Sequence, residues 1–501
     1  MRITNKMMTN NMMNNINKNK FNMTTLEEQY SSGKKIQRPS DDPIIAVRAL
    51  KLRTNLSEMS QYYEKNIPDA QSWMDVTESA LTTVNNILKQ INTYCVQGSS
   101  DTLTAEDRSS IFENLGQMKQ QINQEGNTNY AGRYVFTGFK TDSPLIFTED
   151  ANNLTYSINQ NFTGTDIQRY SKVSGSYTLY DYDETTTPFT EPPRINDAYC
   201  LKLAYDKVSS TPPDKISYSV MNSSGELVEQ TPITSNINSV SVTDPKAYAP
   251  EADEVNYIPE TGEMVFGSNV YQELRTAENM QITYSKTGFE KGSLKPEHYF
   301  DCTMNDSLRP ELGDVTYTKA EEGQKIEYEI NYNQSLAINT EGSDAITHDM
   351  GRAIDDIMNS VNEVVETENK IAEVNKRLED TTLSEDEVTR YNKFKEQLET
   401  ELSLKKEVMQ QAFDKGNAVS AKEQDRVNAA VADLGSREVR LQLTENRLSD
   451  QKVDFEDLLS KNEDADVVET YIKYGAAEMV YNASLSAVGK VVQNSLLDYL
   501  R

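Results

Sequence analysis

Ala70, Met74, Thr77, Leu81, Val84, Leu88, Ile91 and Cys95 follow one another at alternating steps of four and three residues. A 3.5-residue period held this long lays one apolar stripe along a helix and requires a partner helix packed in coiled-coil fashion. The same rhythm runs through Met12, Ile16, Met23, Leu26 and Tyr30, with Asn19 in the remaining seam position. It returns at Ile354, Ile357, Val361, Val364, Ile371 and Leu378, and again from Val388 to Phe455. A last stripe holds Tyr471, Tyr474, Tyr481, Leu485, Val488, Val492 and Tyr499. Both ends are therefore helical, and neither helix can bury its stripe alone. The Asn-rich first helix is marginal by propensity and needs a partner most.

Between the helical halves the pattern changes. From about 146 to 345 the chain is rich in Thr, Ser, Tyr, Gly and Pro, and apolar residues alternate with polar ones. Tyr177–Tyr182, Ile216–Val220, Glu263–Phe266, Met280–Tyr284 and Ile326–Tyr332 read as strands. The expected fold is mainly α with a β-rich insertion: a long coiled-coil-like helical bundle from the N- and C-terminal parts carrying a central β-rich outer domain. Three parts follow. Residues 1–43 and 461–501 form terminal helices, 44–145 and 346–460 a helical rod, and 146–345 the outer domain.

Local signals punctuate this plan. Gly33 reads as a helix stop, and Pro39 to Pro43 as a turn with Asp42 as N-cap and Pro43 at the first helical position. This accounts for Asp41 and Asp42 without a catalytic role. Pro68 predicts a pause in the second helix, Thr104 with Asp107 a capped start, and Ser384 with Glu387 a capping box. Gly416 predicts a helix break, and Asp466 with Glu469 a cap on the final helix.

Chemistry is sparse. The net charge of −29 argues against nucleic acid as a partner, because phosphate binding needs a basic face. Nothing approaches the roughly 18 apolar residues of a membrane span, and no apolar core of a secretory signal follows the basic start. His298 and His348 lie in no zinc motif, and no phosphate loop or nucleophile elbow is present. Asp181, Asp183 and Glu184 could hold Ca²⁺, but without the Gly and distal Glu of a calcium loop they read as a solvated loop. Cys95 falls on a core stripe, while a Cys200–Cys302 bridge stays open. No catalytic, cofactor or metal residue is assigned, and no enzyme activity is expected.

Gly33-Lys34-Lys35-Ile36, followed by Arg38-Pro39-Ser40-Asp41-Asp42-Pro43, resembles the N-terminal segment of the flagellin superfamily, the axial proteins of bacterial flagella. Tyr481-Asn482-Ala483-Ser484-Leu485 and Gly489-Lys490-Val491-Val492-Gln493-Asn494 resemble its C-terminal segment. Within the superfamily, Met1 to Met8, Tyr134 to Leu145 and Gly435-Ser436-Arg437 are most similar to the hook–filament junction, or hook-associated protein 3, family. The resemblance covers 1–145 and 425–501, and the charged stretch near 366–420 is longer than the family's pattern.

The resemblance implies a structural protein of motility that joins hook to filament and sits outside the cell. Export would be by the flagellar type III apparatus without a cleaved signal peptide. Its partners would be copies of itself, a neighbouring hook-associated protein, flagellin, and an export chaperone, with no nucleic acid and no membrane. The expected assembly interface places Leu485, Val488, Val492, Leu496 and Leu500, with Tyr481, against Ile16, Met23, Leu26 and Tyr30. Gly33, Pro39, Asp42 and Pro43 form the turn. The alternatives are a filament flagellin, or a secreted flagellin-like protein with binding or enzymatic activity in 146–345.

Overall fold

The computed structural model describes residues 5–100, 105–175, 192–222, 224–244, 246–319, 323–380 and 382–497. The expected strand Tyr177–Tyr182, the acidic trio Asp181, Asp183 and Glu184, the cap at Thr104, and Leu500 lie outside them. The chain divides into two compact units. One holds 1–70, 328–336 and 439–501, the other 71–327 and 337–438.

Helices open and close the chain: α1 (Asn5–Ser32), α2 (Pro43–Gln61), α3 (Ile67–Gly98) and α4 (Ala105–Glu125) before the strands. Short α5 (Ser268–Leu274) and α6 (Gly342–Ala345) are followed by α7 (His348–Leu378), α8 (Glu385–Glu463) and α9 (Val467–Leu497). At Pro68 the helix does not pause. A π turn over Tyr62–Asn66 passes directly into α3. Proline removes one backbone donor and crowds the carbonyl four residues back, and a widened turn just upstream absorbs both defects.

In the larger unit, the α3 stripe from Met74 to Cys95 is sealed from solvent. Asn85 pairs with Asn428, the Ser420 hydroxyl donates to the Leu88 carbonyl, and Asn92 pairs with Asn417, so α3 and α8 run antiparallel. Lys119 with Asp355 and Arg108 with Glu368 set α4 antiparallel to α7 in the same way. The predicted break at Gly416 is absent, since α8 is continuous for 79 residues. A Cβ at Gly416 would fall 2.5 Å from Ile357 Cδ1 and 3.4 Å from Cys95 Sγ. The glycine lets three helices approach closely, which offsets its weak propensity.

The stretch near 366–420 is an antiparallel hairpin of α7 and the start of α8. Val374, Phe394 and Leu398 form its buried tip. Ser384 and Glu387 cap α8 reciprocally: the Ser384 N–H donates to the Glu387 carboxylate at 2.8 Å, and the Glu387 N–H to Ser384 Oγ at 3.3 Å.

The central region is β-rich. A hairpin of β1 (Asn129–Tyr130) and β2 (Arg133–Tyr134) follows α4, turning through Ala131 and Gly132 at positive φ. The strands β3 (Ala151–Phe162), β4 (Gln168–Ser174), β5 (Arg194–Lys202), β6 (Ile216–Met221), β7 (Leu227–Glu229) and β8 (Ile237–Ser239) come next. Then follow β9 (Val255–Ile258), β10 (Glu263–Phe266), β11 (Ala277–Phe289), β12 (Asp301–Asp306) and β13 (Val315–Tyr317). One sheet has the order β4-β5-β10-β9-β8 and the other β13-β12-β3-β11-β6-β7. A shared core that includes Tyr156, Ile158, Leu203, Tyr257, Met264 and Ile282 fills the space between them. A separate hairpin, β14 (Glu327–Asn331) with β15 (Gln334–Ala337), completes the strands.

The β9–β10 turn closes on Gly262, at φ +62, where a Cβ would lie 2.0 Å from the Tyr205 carbonyl oxygen. Left-handed backbone and a backbone clash act together, so Gly262→Ala is expected to cost about 3 kcal/mol or more. Urea unfolding followed by the fluorescence of Trp73, the chain's single and fully buried tryptophan, measures it. A change under about 1 kcal/mol would contradict the crowding.

Candidate assembly interface

In the smaller unit, two turns from opposite ends of the sequence meet. Gly33, at φ +68, stops α1 and returns its N–H to the Gln29 carbonyl. The Lys35 N–H then donates to the Glu463 carbonyl, and the Ala465 N–H donates to the Gly33 carbonyl at 2.9 Å. The Glu463 carboxylate is 4% exposed and takes Arg53 at 2.7 Å and Lys34 at 3.4 Å. Lys34 also pairs with Asp464, and this hydrogen bond holds the Asp464 carboxyl below the usual carboxylate range. Sequence reasoning missed this hub. The basic pair after Gly33 and the acidic run before α9 were its only local trace.

The following turn is organised by two aspartates. Asp41 accepts from the Gln37 and Arg38 N–H groups at 3.0 and 2.8 Å. Asp42 caps α2 by accepting from the Ile44 and Ile45 N–H groups at 3.0 and 3.1 Å, with Pro43 at the helix start. Pro39, just before them, is exposed. Asp466 caps α9 through the Val468 and Glu469 N–H groups.

Beyond the hub, α1 lies against α9. The Asn19 amide donates to Ser484 Oγ at 3.0 Å, and the rings of Tyr30 and Tyr471 are 5.6 Å apart. Numbers rise on one helix as they fall on the other, so the pair is antiparallel. Ile16 is buried, Met23 and Leu26 are half-buried, and Tyr30 stays 45% exposed. On α9 the half-buried positions Tyr474, Ala477, Tyr481, Ser484 and Val488 form one stripe. Leu485 lies outside that stripe and is 45% exposed. Val492 and Leu496 belong to α9, but their side chains, like Leu500, lie outside the described residues.

Each of these helices is apolar over more than one face. Phe21, Val468, Ile472, Met479 and Val480 remain largely exposed, as do Ile44, Val47 and Leu50 on α2. The spacing of Ile44, Val47 and Leu50 could have revealed the last group, which a search for heptads passed over. Exposed apolar residues therefore lie on α1, α2 and α9 of this unit.

Among the described residues no His, Cys, Asp and Glu group could hold a metal, and no helix is long and apolar enough to cross a membrane. Cys95, Cys200 and Cys302 are free and buried, with the last two on different sheets.

Residues 3–141 match the bacterial flagellin N-terminal helical region. The chain is similar to flagellar hook-associated protein 3 of Salmonella typhimurium, 33% identical over 144 residues, which cover 28% of this chain and 45% of that protein. It is also similar to a flagellin of Clostridium tyrobutyricum, 33% identical over 126 residues, covering 25% and 33% of the two chains. The crystal structure of flagellar hook associated protein-3 from Legionella pneumophila aligns over 82% of this chain and 97% of its own, at 13% identity and a TM-score of 0.32. The chain spans less than half the length of the curated relatives it matches here.

Proposed function

We propose that this chain, whose residues 3–141 match the bacterial flagellin N-terminal helical region, is the structural protein joining flagellar hook to filament. The observation that carries the proposal is the apolar surface left on α1, α2 and α9 after α1 and α9 have paired. Folding of that surface is coupled to assembly: exposed stripes on marginal helices become ordered when they bury against neighbours at the growing tip. Ile16, Met23, Leu26 and Tyr30 with Tyr481 and Val488 keep the terminal helices together. Leu485, with Val492, Leu496 and Leu500, then meets neighbouring subunits. The turn at Gly33, Pro39, Asp42 and Pro43 sets the direction in which the chain leaves the pair.

The proposal carries a three-part plan. Residues 1–43 and 461–501 form the inner assembly domain, 44–145 and 346–460 a coiled-coil-like rod, and 146–345 an outer domain. Copies of itself, a hook-associated protein on one side and flagellin on the other are the partners. A cytoplasmic chaperone and type III export belong to the same reading.

The flagellin relative favours one second reading, a filament subunit. Antibody labelling of intact flagella, viewed by electron microscopy, separates the two. A single band where hook meets filament is the expected result. Label along the whole filament would make the protein a flagellin, and flagella without label would end both readings.

A further inference from the structure

A cavity of about 540 Å³ opens in the larger unit, between the β4–β5 edge and helices α7 and α8. In a chain of net charge −29 its lining is cationic: Lys172, Lys202, Arg352, Lys415, Lys422 and Arg426 face it, against Asp166, Asp349 and Asp356. Several of these charges are already matched. Lys202 pairs with Asp356 and Glu263, Lys422 lies 3.6 Å from Asp349, and Arg426 lies 3.4 Å from Glu423.

Others are not. Lys415 has no carboxylate partner among the described residues. Its ammonium donates to the Arg169 carbonyl and lies 3.5 Å from the Tyr170 ring centroid. Lys172 is likewise without a carboxylate and lies 5.5 Å from the Tyr248 ring centroid. Two further polar atoms belong to residues lining the same space: Arg352 Nε and His348 Nε2 are buried with no hydrogen-bond partner among the described residues, while Arg352 Nη2 donates to the Thr261 carbonyl. Orphaned buried donors beside surplus positive charge are costly unless an anion completes them.

We propose that this cavity binds a small solute bearing a tetrahedral oxyanion, phosphate or sulfate, held by Lys415, Lys172 and Arg352. The cavity is larger than the oxyanion alone and falls in the range of small-molecule sites, so the oxyanion is the head group of a sugar-sized body. Lysine serves such groups as a point charge with three donors. Neutral His348 adds one directional N–H where its Nε2 carries the ring proton.

Calorimetric titration of the full chain at constant ionic strength tests this. The probes are inorganic phosphate, inorganic sulfate, glucose 6-phosphate, glucose 6-sulfate and glucose, with chloride as the competing salt. Saturable binding of the oxyanions but not of glucose is expected, and the tighter of the two sugar esters identifies the source of the head group. Lys415→Met should weaken binding about tenfold, Lys172→Met should weaken it in the same direction, and Lys291→Met on the exposed surface should not.

A pH series with sulfate, which does not titrate in this range, gives a second readout. Burial pulls the Lys415 ammonium down to about 8, with Lys202 and Lys172 adding like charge and Asp356 and Cys200 opposing them. Two neighbouring groups lie away from this range, with His348 held down at about 3 and Tyr170 pushed up to about 12. Sulfate affinity should therefore fall as pH rises through about 8, and Lys415→Met should flatten the profile. Absence of saturable binding over chloride, or binding that both lysine variants leave unchanged, would overturn the proposal.

Discussion

Leu485→Asp and Val492→Asp are expected to abolish incorporation into flagella while leaving the isolated protein mostly folded. Leu485 is 45% exposed on α9, outside the half-buried stripe that faces α1. A carboxylate there stays hydrated in the free subunit, so little folding energy is at stake. In the proposed assembly the same position would be covered by a neighbour, and an unpaired charge buried there would cost about 3–5 kcal/mol. That is about a hundredfold or more in association for each contact. Immunolabelled flagella report incorporation, and circular dichroism of the purified variants reports folding. Leu485→Met, which keeps the apolar volume, should assemble. Normal incorporation of both aspartate variants would remove α9 from the assembly surface.

Where a local pattern and the tertiary structure agreed, the sequence was readable. The Met74–Cys95 stripe is buried throughout, and Glu263–Phe266 coincides with β10. The Ser384–Glu387 box works because both of its hydrogen bonds lie within one helical turn. Gly416 misled because its physical reason lies on other helices, at Ile357 and Cys95, far away in sequence. Pro68 misled because a π turn can repair what proline removes. The pairing of α1 with α9 was half legible. Heptads mark which face of α1 meets α9, but a period cannot tell an inner stripe from an outer one when the helix is apolar on both. The Glu463 hub and the cationic cavity were invisible for a related reason, since each gathers side chains more than 200 residues apart onto one point.

The two histidines give the strongest expected response to pH, and its sign follows from burial. His348 is packed against the rings of Tyr205, Tyr299 and Phe300, with centroids 4.8, 4.7 and 5.4 Å away. Burial, with Arg352 and Lys119 adding positive charge, holds it down at about 3. His298 contacts the Pro144 carbonyl and is held down at about 4, chiefly by burial, with Glu297 working against the shift. Both values lie below the ordinary 6.5, so below that pH the unfolded chain binds more protons than the folded one. Stability is then lost as pH falls.

Discounted for partial exposure, the two together should lose about 2–4 kcal/mol between about pH 7 and about pH 5. Asp355 and Glu423, raised by burial, act in the opposite direction. The informative quantity is therefore a difference between proteins. His348→Phe keeps the ring contacts and removes the titration, so urea unfolding should show its stability falling about half as steeply over this interval. A variant with the wild-type slope would mean that His348 takes up its proton in the folded state, and that its aromatic surroundings hold the charge.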